Sequence, residues 1–406
     1  MRPELLTILI CPECGGHLSL TPFRGGTASD EVEEGLLVCE GCAHPYPVTD
    51  GIPRLLPDAL ESHRSFARKF SHELRAAGVR APAAEAVRRF RRLHGLTARA
   101  FGYEWNAYRT TSREEDVITF FWLTGADPSL YGKLAVTDVF TCYPTPADLA
   151  QIDPSRLAGA TVVDVGCGMG KYLAVVAEHA KQAIGLDLSD ALIRARALLR
   201  DRPNVHLIQG NILSPPLRTE SVDFAYSVGV LHHTPDAHAA FARTASLVKP
   251  GGRLGIWVYP SELDQSPYAT RVHWIQDELL RPITCRMPPR ILRLVVAAPL
   301  GRLTFVRDRF AARYAATGSR LARSVAMWAG AVAVGRHRDP KIAAFLNFDW
   351  YSPQYRSYHS EDEVRRWYQE AAFENVTRLP QRVSAVGVKR RSTGSQPAVW
   401  TADSTS

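Results

Sequence analysis

Short runs of branched aliphatic residues recur through the middle of the chain, and helical patterns of apolar residues separate them. The first run, Val162–Val165, leads directly into glycines at 166, 168 and 170. Later runs predict further parallel strands at 183–187, 205–209, 221–227 and 253–259. Connecting helices are predicted at 171–180 and 236–247. This alternation predicts an α/β fold with a doubly wound sheet over residues 151–262.

The pattern changes on both sides of this core. Residues 61–150 predict a helical linker that covers the cofactor pocket, and 263–345 predict an Arg-rich helical insertion after the fifth strand. Residues 346–390 predict an active-site loop, in which 347–360 are rich in aromatic side chains, and the completion of the sheet. A helix capped by Ser360 and two final strands, the second antiparallel, belong to this part. The polar residues 391–406 predict a disordered tail.

Two Cys-x-x-C pairs predict a separate zinc ribbon over residues 1–60. Cys11 and Cys14 form the first pair, Cys39 and Cys42 form the second, and 24 residues separate the pairs. Each pair directs two thiolates at one tetrahedral Zn²⁺, and four thiolates leave no position for a catalytic water. We therefore expect a structural zinc.

Composition adds little to this prediction. The 406 residues are 46% hydrophobic and 22% charged, as in globular proteins, and the net charge is +8. No secretory pattern and no apolar stretch of membrane-spanning length are seen, so we expect a cytoplasmic protein.

The positive charge is concentrated in the predicted insertion. Residues 263–345 hold 14 basic and 5 acidic residues, a net charge of +9 that exceeds the +8 of the whole chain. Three interpretations stay open: an ordinary helical cap, a pocket for an acidic substrate, and a surface for a membrane or a lipid-linked substrate.

The glycine turn after the first core strand predicts a nucleoside cofactor. Glycines let the backbone approach a ligand closely, and the helix that follows offers free N–H groups. Asp187 ends the second strand, where a carboxylate can accept hydrogen bonds from both ribose hydroxyls.

Several motifs in order resemble the class I S-adenosylmethionine-dependent methyltransferases, particularly those acting on small molecules. They are Asp164-x-Gly-x-Gly-x-Gly170, Asp187, Gly210-Asn211, Asp223 through Leu231-His232-His233, and Leu-x-Lys-Pro-Gly-Gly252. The resemblance implies a Rossmann-like seven-stranded methyltransferase sheet that binds S-adenosylmethionine. It implies that the cofactor is held by Asp164, Gly166, Gly168, Gly170, Asp187, Asn211, Ile212 and Ser227. The family usually has Asp where Asn211 stands.

Two further segments carry resemblances. Tyr46-Pro, Asp50-Gly-Ile-Pro53 and Leu55-Leu56 resemble the zinc-ribbon activator subunits of tRNA methyltransferases. The segment Phe101-Gly-Tyr-Glu-Trp105 resembles one in ribbon-bearing methyltransferases that helps to close the cofactor pocket. Packing in the core is the alternative explanation of that segment.

Methyl transfer is an in-line displacement that requires alignment and, for a hydroxyl acceptor, removal of a proton. An imidazole titrates near neutral pH, so the candidate bases are His232, His233 and His359. Tyr259 and Tyr355 are the other candidates for the catalytic site.

The acceptor and the oligomeric state do not follow from the sequence. A small-molecule, glycan or lipid-linked acceptor is our first hypothesis. An RNA base methyltransferase is the enzymatic alternative, because the chain is basic and ribosomal RNA methyltransferases of this fold also carry a zinc ribbon. A noncatalytic partner or activator subunit is the second alternative.

Overall fold

A computed structural model describes residues 1–25, 31–79, 83–107, 157–261, 272, 274–334, 340–379 and 382–391. The predicted tail from 392, the linker beyond 107 and parts of the predicted insertion lie outside these residues. The chain divides into two compact units. The first comprises Met1–Gly95, Pro144–Pro260 and Ser357–Ser406, and the second comprises Leu96–Tyr143 and Ser261–Arg356.

The first unit is built on one eleven-stranded sheet. Its strands are β1 Leu18–Gly25, β2 Val32–Cys39, β3 Pro45–Thr49, β4 Ile52–Leu55, β5 Thr161–Val165, β6 Gln182–Asp187, β7 Val205–Gly210, β8 Val222–Val228, β9 Val248–Trp257, β10 Phe373–Arg378 and β11 Ser384–Lys389. Their spatial order is β1-β2-β3-β4-β7-β6-β5-β8-β9-β11-β10.

The helices of the described residues are α1 Ala59–Ser62, α2 Arg64–Lys69, α3 Ser71–Ala76, α4 Ala84–Ala107, α5 Lys171–Val176, α6 Leu192–Leu199, α7 Ala237–Leu247, α8 Arg281–Thr284, α9 Pro289–Leu292, α10 Ala298–Thr317, α11 Arg320–Gly330, α12 Pro340–Tyr351 and α13 Glu361–Glu370. Short 3₁₀ turns cover Pro3–Thr7 and Leu231–His233, and π-helical turns cover Ile275–Leu280 and Arg293–Ala297.

The four N-terminal strands join the core strands β5–β11, so the sheet has eleven strands. β4 pairs in parallel with β7, with Arg54 opposite Gln209 and Leu55 opposite Gly210. β11 runs antiparallel to both β9 and β10, as predicted for the last strand. The four-cysteine region is therefore continuous, through main-chain hydrogen bonds, with the strands that carry the glycine turn.

Alternate residues of β5 enter separate apolar clusters, as the two-residue period of a strand requires. Val163 and Val165 belong to one cluster together with Phe241 of α7, whereas Val162 packs in the other with Leu173 of α5. The sheet is thus covered on both faces, which is why the strand is almost continuously apolar.

The second unit is helical over its described residues, and polar side chains hold its interior together. Gln276 donates from Nε2 to the carbonyl of Ala331 at 2.8 Å, and its Oε1 accepts from the Trp350 indole at 3.0 Å. The Arg307 guanidinium donates to the carbonyl of Ala333 at 2.8 Å. These contacts fix α10 and α12 against the loop that follows α11.

Residues 347–351 are helical, so the predicted loop over 347–360 is wrong in its first part. They form the last turns of α12, and Asn347 donates from its amide to the carbonyl of Ala343. The aromatic residues in this segment obscured a helical pattern. Among the described residues, no helix is long and apolar enough to cross a membrane.

Candidate functional site

The glycine turn connects β5 to α5 through three left-handed residues. Gly166, Gly168 and Gly170 have φ values of 84°, 52° and 83°, which residues with a Cβ rarely adopt. The N–H of Gly166 donates to the carbonyl of Leu186 at 2.7 Å, which ties the turn to the neighbouring strand. The turn therefore directs main-chain N–H groups and the start of α5 to the carboxyl edge of the sheet.

Protein atoms, besides any ligand, require glycine at two of these positions. A Cβ on Gly166 would lie 2.3 Å from Cγ2 of Val230, and one on Gly170 would lie 2.8 Å from Cδ1 of Leu199. The prediction explained the glycines by the approach of a cofactor. The structure adds that the segment after β8 and the end of α6 pack closely against the same turn.

Asp164 places a carboxylate beneath this turn. It is 2% exposed, and its Oδ2 atom has no hydrogen-bond partner among the described residues. Burial raises its pKa to about 8, although the nearby Tyr226 hydroxyl lowers it, and the negative charge of Asp187 raises it further. A buried carboxyl oxygen without a hydrogen-bond partner is costly, so this site favours a cationic or N–H-bearing ligand.

Asp187 stands at the tip of β6, as predicted, but its oxygens are already engaged. Oδ2 accepts from the N–H of Gly168 at 2.8 Å, and Oδ1 accepts from Ser189 N–H at 2.8 Å and from the Ser189 hydroxyl at 2.7 Å. Burial raises the pKa of Asp187, and these donors oppose that rise. The carboxylate is held in a fixed orientation and retains acceptor capacity for a ribose hydroxyl.

Asn211 follows β7, and the protein engages both ends of its amide. Its Oδ1 accepts from the N–H of Leu213 at 3.0 Å, and its Nδ2 lies 3.1 Å from Nε2 of His94. Burial lowers the pKa of His94 to about 4, so the ring is neutral at pH 7 and accepts this hydrogen bond. Ile212, its neighbour, is half-buried against the core.

Ser227 lies in β8, and its side chain is fully buried. The hydroxyl donates to the carbonyl of Val165 at 2.8 Å. This bond fixes β8 against β5 one residue before the turn. It supports a positioning role for Ser227 and gives no indication of direct cofactor contact.

Three predicted catalytic residues meet beyond β8. The rings of His232 and Tyr259 stack with their centres 3.7 Å apart, and His233 lies 4.3 Å from His232. The N–H of Tyr259 donates to Nδ1 of His232 at 3.3 Å. This hydrogen bond assigns the proton of a neutral His232 ring to Nε2, which makes the ring a donor there and not a base.

His359 joins the same group through the main chain. Its N–H donates to the carbonyl of Tyr259 at 2.8 Å, and the N–H of Ser357 donates to the carbonyl of His232 at 3.0 Å. The His359 ring lies between two polar partners. Nδ1 is 2.9 Å from Oε1 of Glu363, and Nε2 is 2.7 Å from the Ser357 hydroxyl.

This carboxylate–imidazole–hydroxyl line assigns the ring proton of His359 to Nδ1. The Nε2 lone pair then accepts from Ser357, so His359 has the tautomer that a base requires. Val230, which packs against Gly166, begins the turn that bears His232, and the His232 carbonyl accepts from the N–H of Ser357.

Tyr355 belongs to the second unit, where its hydroxyl accepts from Nε2 of Gln354 at 3.1 Å.

Residues 101–105 lie in α4, and the ring of Tyr103 packs with its centre 5.6 Å from that of Phe348. Burial raises the pKa of Glu104 well above its usual value, with Asp349 adding to the rise, and burial raises the pKa of Asp349 to about 6. These contacts agree with the core-packing explanation of this segment. Its part in closing the cofactor pocket stays a prediction.

The four cysteines converge as predicted. Their sulfur atoms all lie within 4.8 Å of one another, with 3.7 Å between Cys11 and Cys42 and 3.4 Å between Cys14 and Cys39. Sulfurs that bind one tetrahedral zinc at about 2.3 Å are about 3.8 Å apart, so the residues fit that ion. The Tyr46 hydroxyl lies 3.2 Å from the Cys11 sulfur and supports it.

Sequence reasoning missed Ser357, Glu363 and His94. In the sequence, Glu363 stands three residues after the helix cap Ser360, a position typical of a capping box. The four-residue spacing between His359, just before this cap, and Glu363, in the first turn of α13, is the signal that could have revealed the pair. Nothing in the sequence indicates that His94 reaches Asn211.

An α/β methyltransferase-like fold with a four-cysteine cluster is therefore the class that the geometry defines. Residues 163–256 match the family model of the methyltransferase domain, and residues 2–51 match that of Trm112p-like protein. The chain carries a methyltransferase domain preceded by a Trm112p-like domain, which confirms both resemblances.

Curated relatives share this domain. An ubiquinone biosynthesis O-methyltransferase of Albidiferax ferrireducens is 33% identical over 132 residues, which are 29% of this chain and 51% of the relative. A tRNA (carboxymethyluridine(34)-5-O)-methyltransferase of Saccharomyces cerevisiae is 33% identical over 141 residues, or 34% of this chain and 49% of the relative. The chain thus spans about half the length of these relatives.

A solved complex between the Haloferax volcanii Trm112 methyltransferase activator and a putative methyltransferase is also similar. The identity is 24%, the TM-score is 0.27, and the match covers 37% of this chain and 63% of that chain.

Proposed function

We propose that this protein transfers a methyl group from S-adenosylmethionine to a small-molecule, glycan or lipid-linked acceptor by in-line displacement. The buried Asp164 carboxyl beneath the glycine turn carries the proposal, because its Oδ2 has no partner among the described residues and matches the cationic amino group of the cofactor. When bound, the cofactor supplies the methyl group and leaves as the neutral thioether.

The remaining cofactor contacts follow from the same edge of the sheet. The N–H groups of the glycine turn would hold the carboxylate of the cofactor's methionine part, and Asp187 would accept from its ribose. Asn211 is less suited to adenine than predicted, since its oxygen already accepts from Leu213. Ile212 would supply the apolar contact to the base.

The acceptor proton has a defined route in this proposal. The Ser357 hydroxyl passes its proton to Nε2 of His359 and takes the proton of an acceptor hydroxyl in its place. Glu363 holds the ring in the required tautomer and stabilises the imidazolium that forms. His232, His233 and Tyr259 shape the adjoining wall.

The four cysteines would hold one structural Zn²⁺. Because β4 pairs with β7, the zinc-binding region would stabilise the sheet within one chain, as an activator subunit does between chains. We place no catalytic step at this metal, since four thiolates fill its coordination sphere.

A matched pair of histidines tests the catalytic assignment. His359→Ala should lower kcat by roughly a hundredfold or more with little change in KM, because it removes the proton acceptor. His238 also faces a carboxylate, with its Nε2 2.8 Å from Glu370, but this pair is exposed. His238→Ala should retain the parent rate. Equal turnover of both variants would eliminate the route through His359.

A tRNA acceptor is the second candidate, favoured by the yeast relative that methylates tRNA. Radiolabelled S-adenosylmethionine offered with bulk tRNA and, separately, with a small-molecule extract distinguishes the two. Label in acid-insoluble tRNA, with binding that falls steeply as salt is raised, would support the RNA acceptor and reject the small-molecule one.

A further inference from the structure

Several large apolar side chains of the second unit are exposed, although Phe348, Trp350 and Tyr351 of α12 are buried. In α11, Ala322 and Ala329 are buried, but Leu321 and Trp328 are 71% and 70% exposed. Both pairs are seven residues apart, so each marks one face of the helix. The amphipathic pattern of α11 is thus the reverse of that expected for a helix on a water-facing surface.

Large apolar side chains are also exposed in the segment before α10. Leu294 and Val295 are 71% and 57% exposed, and Ile283 is 64% exposed. In contrast, the interior of this unit contains polar residues, including Gln276 and Asn347, which are nearly fully buried. Twelve of the fourteen large apolar side chains that are exposed among the described residues belong to this unit, a concentration typical of an interaction site.

Exposed arginines are frequent in the same unit. In α10, Arg302, Phe305, Arg309 and Arg313 follow at intervals of three or four residues and are all exposed. Other exposed arginines of the unit are Arg286, Arg290, Arg293, Arg320 and Arg323. Arg323 lies over the ring of Tyr314, 5.9 Å from its centre. We define these residues, with the exposed apolar ones, as the outer patch.

We propose that the outer patch binds the surface of an anionic phospholipid bilayer. Its arginines complement the headgroup phosphates, and their alkyl stems allow the apolar side chains between them to reach the acyl boundary. Exposed Trp328 suits the interface, where an indole has one apolar and one wet side. A nucleic acid would satisfy the arginines and leave Leu294, Val295 and Leu321 in water.

This inference goes beyond the proposed function and does not depend on it. It concerns only the second unit, and the methyl-transfer assay measures residues of the first. Absence of methyl transfer would therefore not contradict binding to a bilayer, and absence of flotation would not contradict methyl transfer.

Vesicle flotation with the full-length protein tests the proposal. We compare vesicles of phosphatidylcholine alone with vesicles that contain about one third phosphatidylglycerol. The protein should float with the anionic vesicles and remain in solution with the neutral ones, and added salt should weaken binding because it screens the arginines.

Two variants locate the contact. Arg309→Gln with Arg313→Gln should lower the partition coefficient by roughly twentyfold, since each arginine near the surface contributes about fivefold. Leu321→Ser with Trp328→Ser should abolish flotation even at low salt. The side chains are exposed, so neither variant should change the circular dichroism spectrum or the melting temperature.

Matched controls come from the first unit. Arg200→Gln with Arg218→Gln removes two exposed arginines, and Ile193→Ser removes an apolar side chain that is 50% exposed. Both controls should float like the parent. Absence of parent flotation at low salt, or equal losses in patch and control variants, would overturn the proposal. So would a parent dimer in light scattering that Leu321→Ser with Trp328→Ser dissociates, because a second copy would then cover the patch.

Discussion

At the scale of single residues, Asp164 links stability, pH and cofactor binding. Its pKa of about 8 lies above the value of about 3.9 in an unfolded chain, so the native state binds the extra proton between these values. The free energy of unfolding of the ligand-free protein should therefore fall as pH rises from 4 to 8.

Asp164→Asn should remove this slope and make the ligand-free protein more stable than the parent at pH 8 by at least about 1 kcal/mol. Urea denaturation at several pH values measures it. If the free energy of unfolding depends on pH in the same way in the parent and the variant, this carboxyl does not titrate between pH 4 and 8.

Ser357 and Glu363 provide a second prediction at this scale. Glu363→Gln should lower kcat by roughly tenfold or more with little change in KM, because the amide no longer holds the His359 ring in the tautomer that a base requires. Ser357→Ala should also lower kcat, because the hydroxyl that relays the acceptor proton is lost. A parent kcat for Glu363→Gln would limit Glu363 to capping α13.

Single residues also show what the sequence can predict. The cysteines, the glycines and Asp187 lie where their spacing placed them, because each is fixed by local chain geometry. The partners of Asn211 and His359 could not be predicted in the same way. His94 is 117 residues from Asn211, and the carbonyl of His232 meets Ser357 across 125 residues.

At the scale of elements, the junction of β4 and β7 is the feature that the sequence did not predict. The zinc ribbon was expected as a unit of its own, because its motifs are local and complete. Its last strand instead completes the core sheet, since the edge of β7 needs a partner for its main-chain groups. The predicted loop at 347–351 failed for a related reason, because tertiary packing in the second unit stabilises those turns of α12.

Arg54 tests this junction. Its side chain is 1% exposed, and it donates to the Thr49 hydroxyl at 2.9 Å and to Gln209 Oε1 at 3.2 Å. Arg54→Met should cost about 2–4 kcal/mol of unfolding free energy, because both acceptors lose a buried charged donor. Arg24→Met, at an exposed arginine of β1, is the control and should cost under about 0.5 kcal/mol. Similar costs for both would show that the junction contributes little.

The four-cysteine region gives the second prediction at this scale. Cys14→Ser should abolish the expected one zinc per chain and lower the melting temperature, because three thiolates bind the ion less tightly than four. Elemental analysis with a melting curve measures both. A full zinc content in the variant would contradict ligation by Cys14.

At the scale of the whole molecule, a methyltransferase domain and a Trm112p-like region share one sheet, and a helical unit carries the outer patch. The fold class and the family could be predicted because their motifs stand close together in order. The exposure of Leu321 and Trp328 could not, because the helical period shows that a face exists but not which face meets solvent.

Isothermal titration of the zinc-loaded protein with S-adenosylmethionine tests the central claim most directly. The parent and the control Asp201→Asn, at an exposed aspartate, should bind one cofactor per chain with micromolar affinity. Asp164→Asn should bind at least about tenfold more weakly, since it lacks the carboxylate that pairs with the cofactor's amino group. Absence of binding by the zinc-loaded parent would contradict the account and favour a noncatalytic partner subunit.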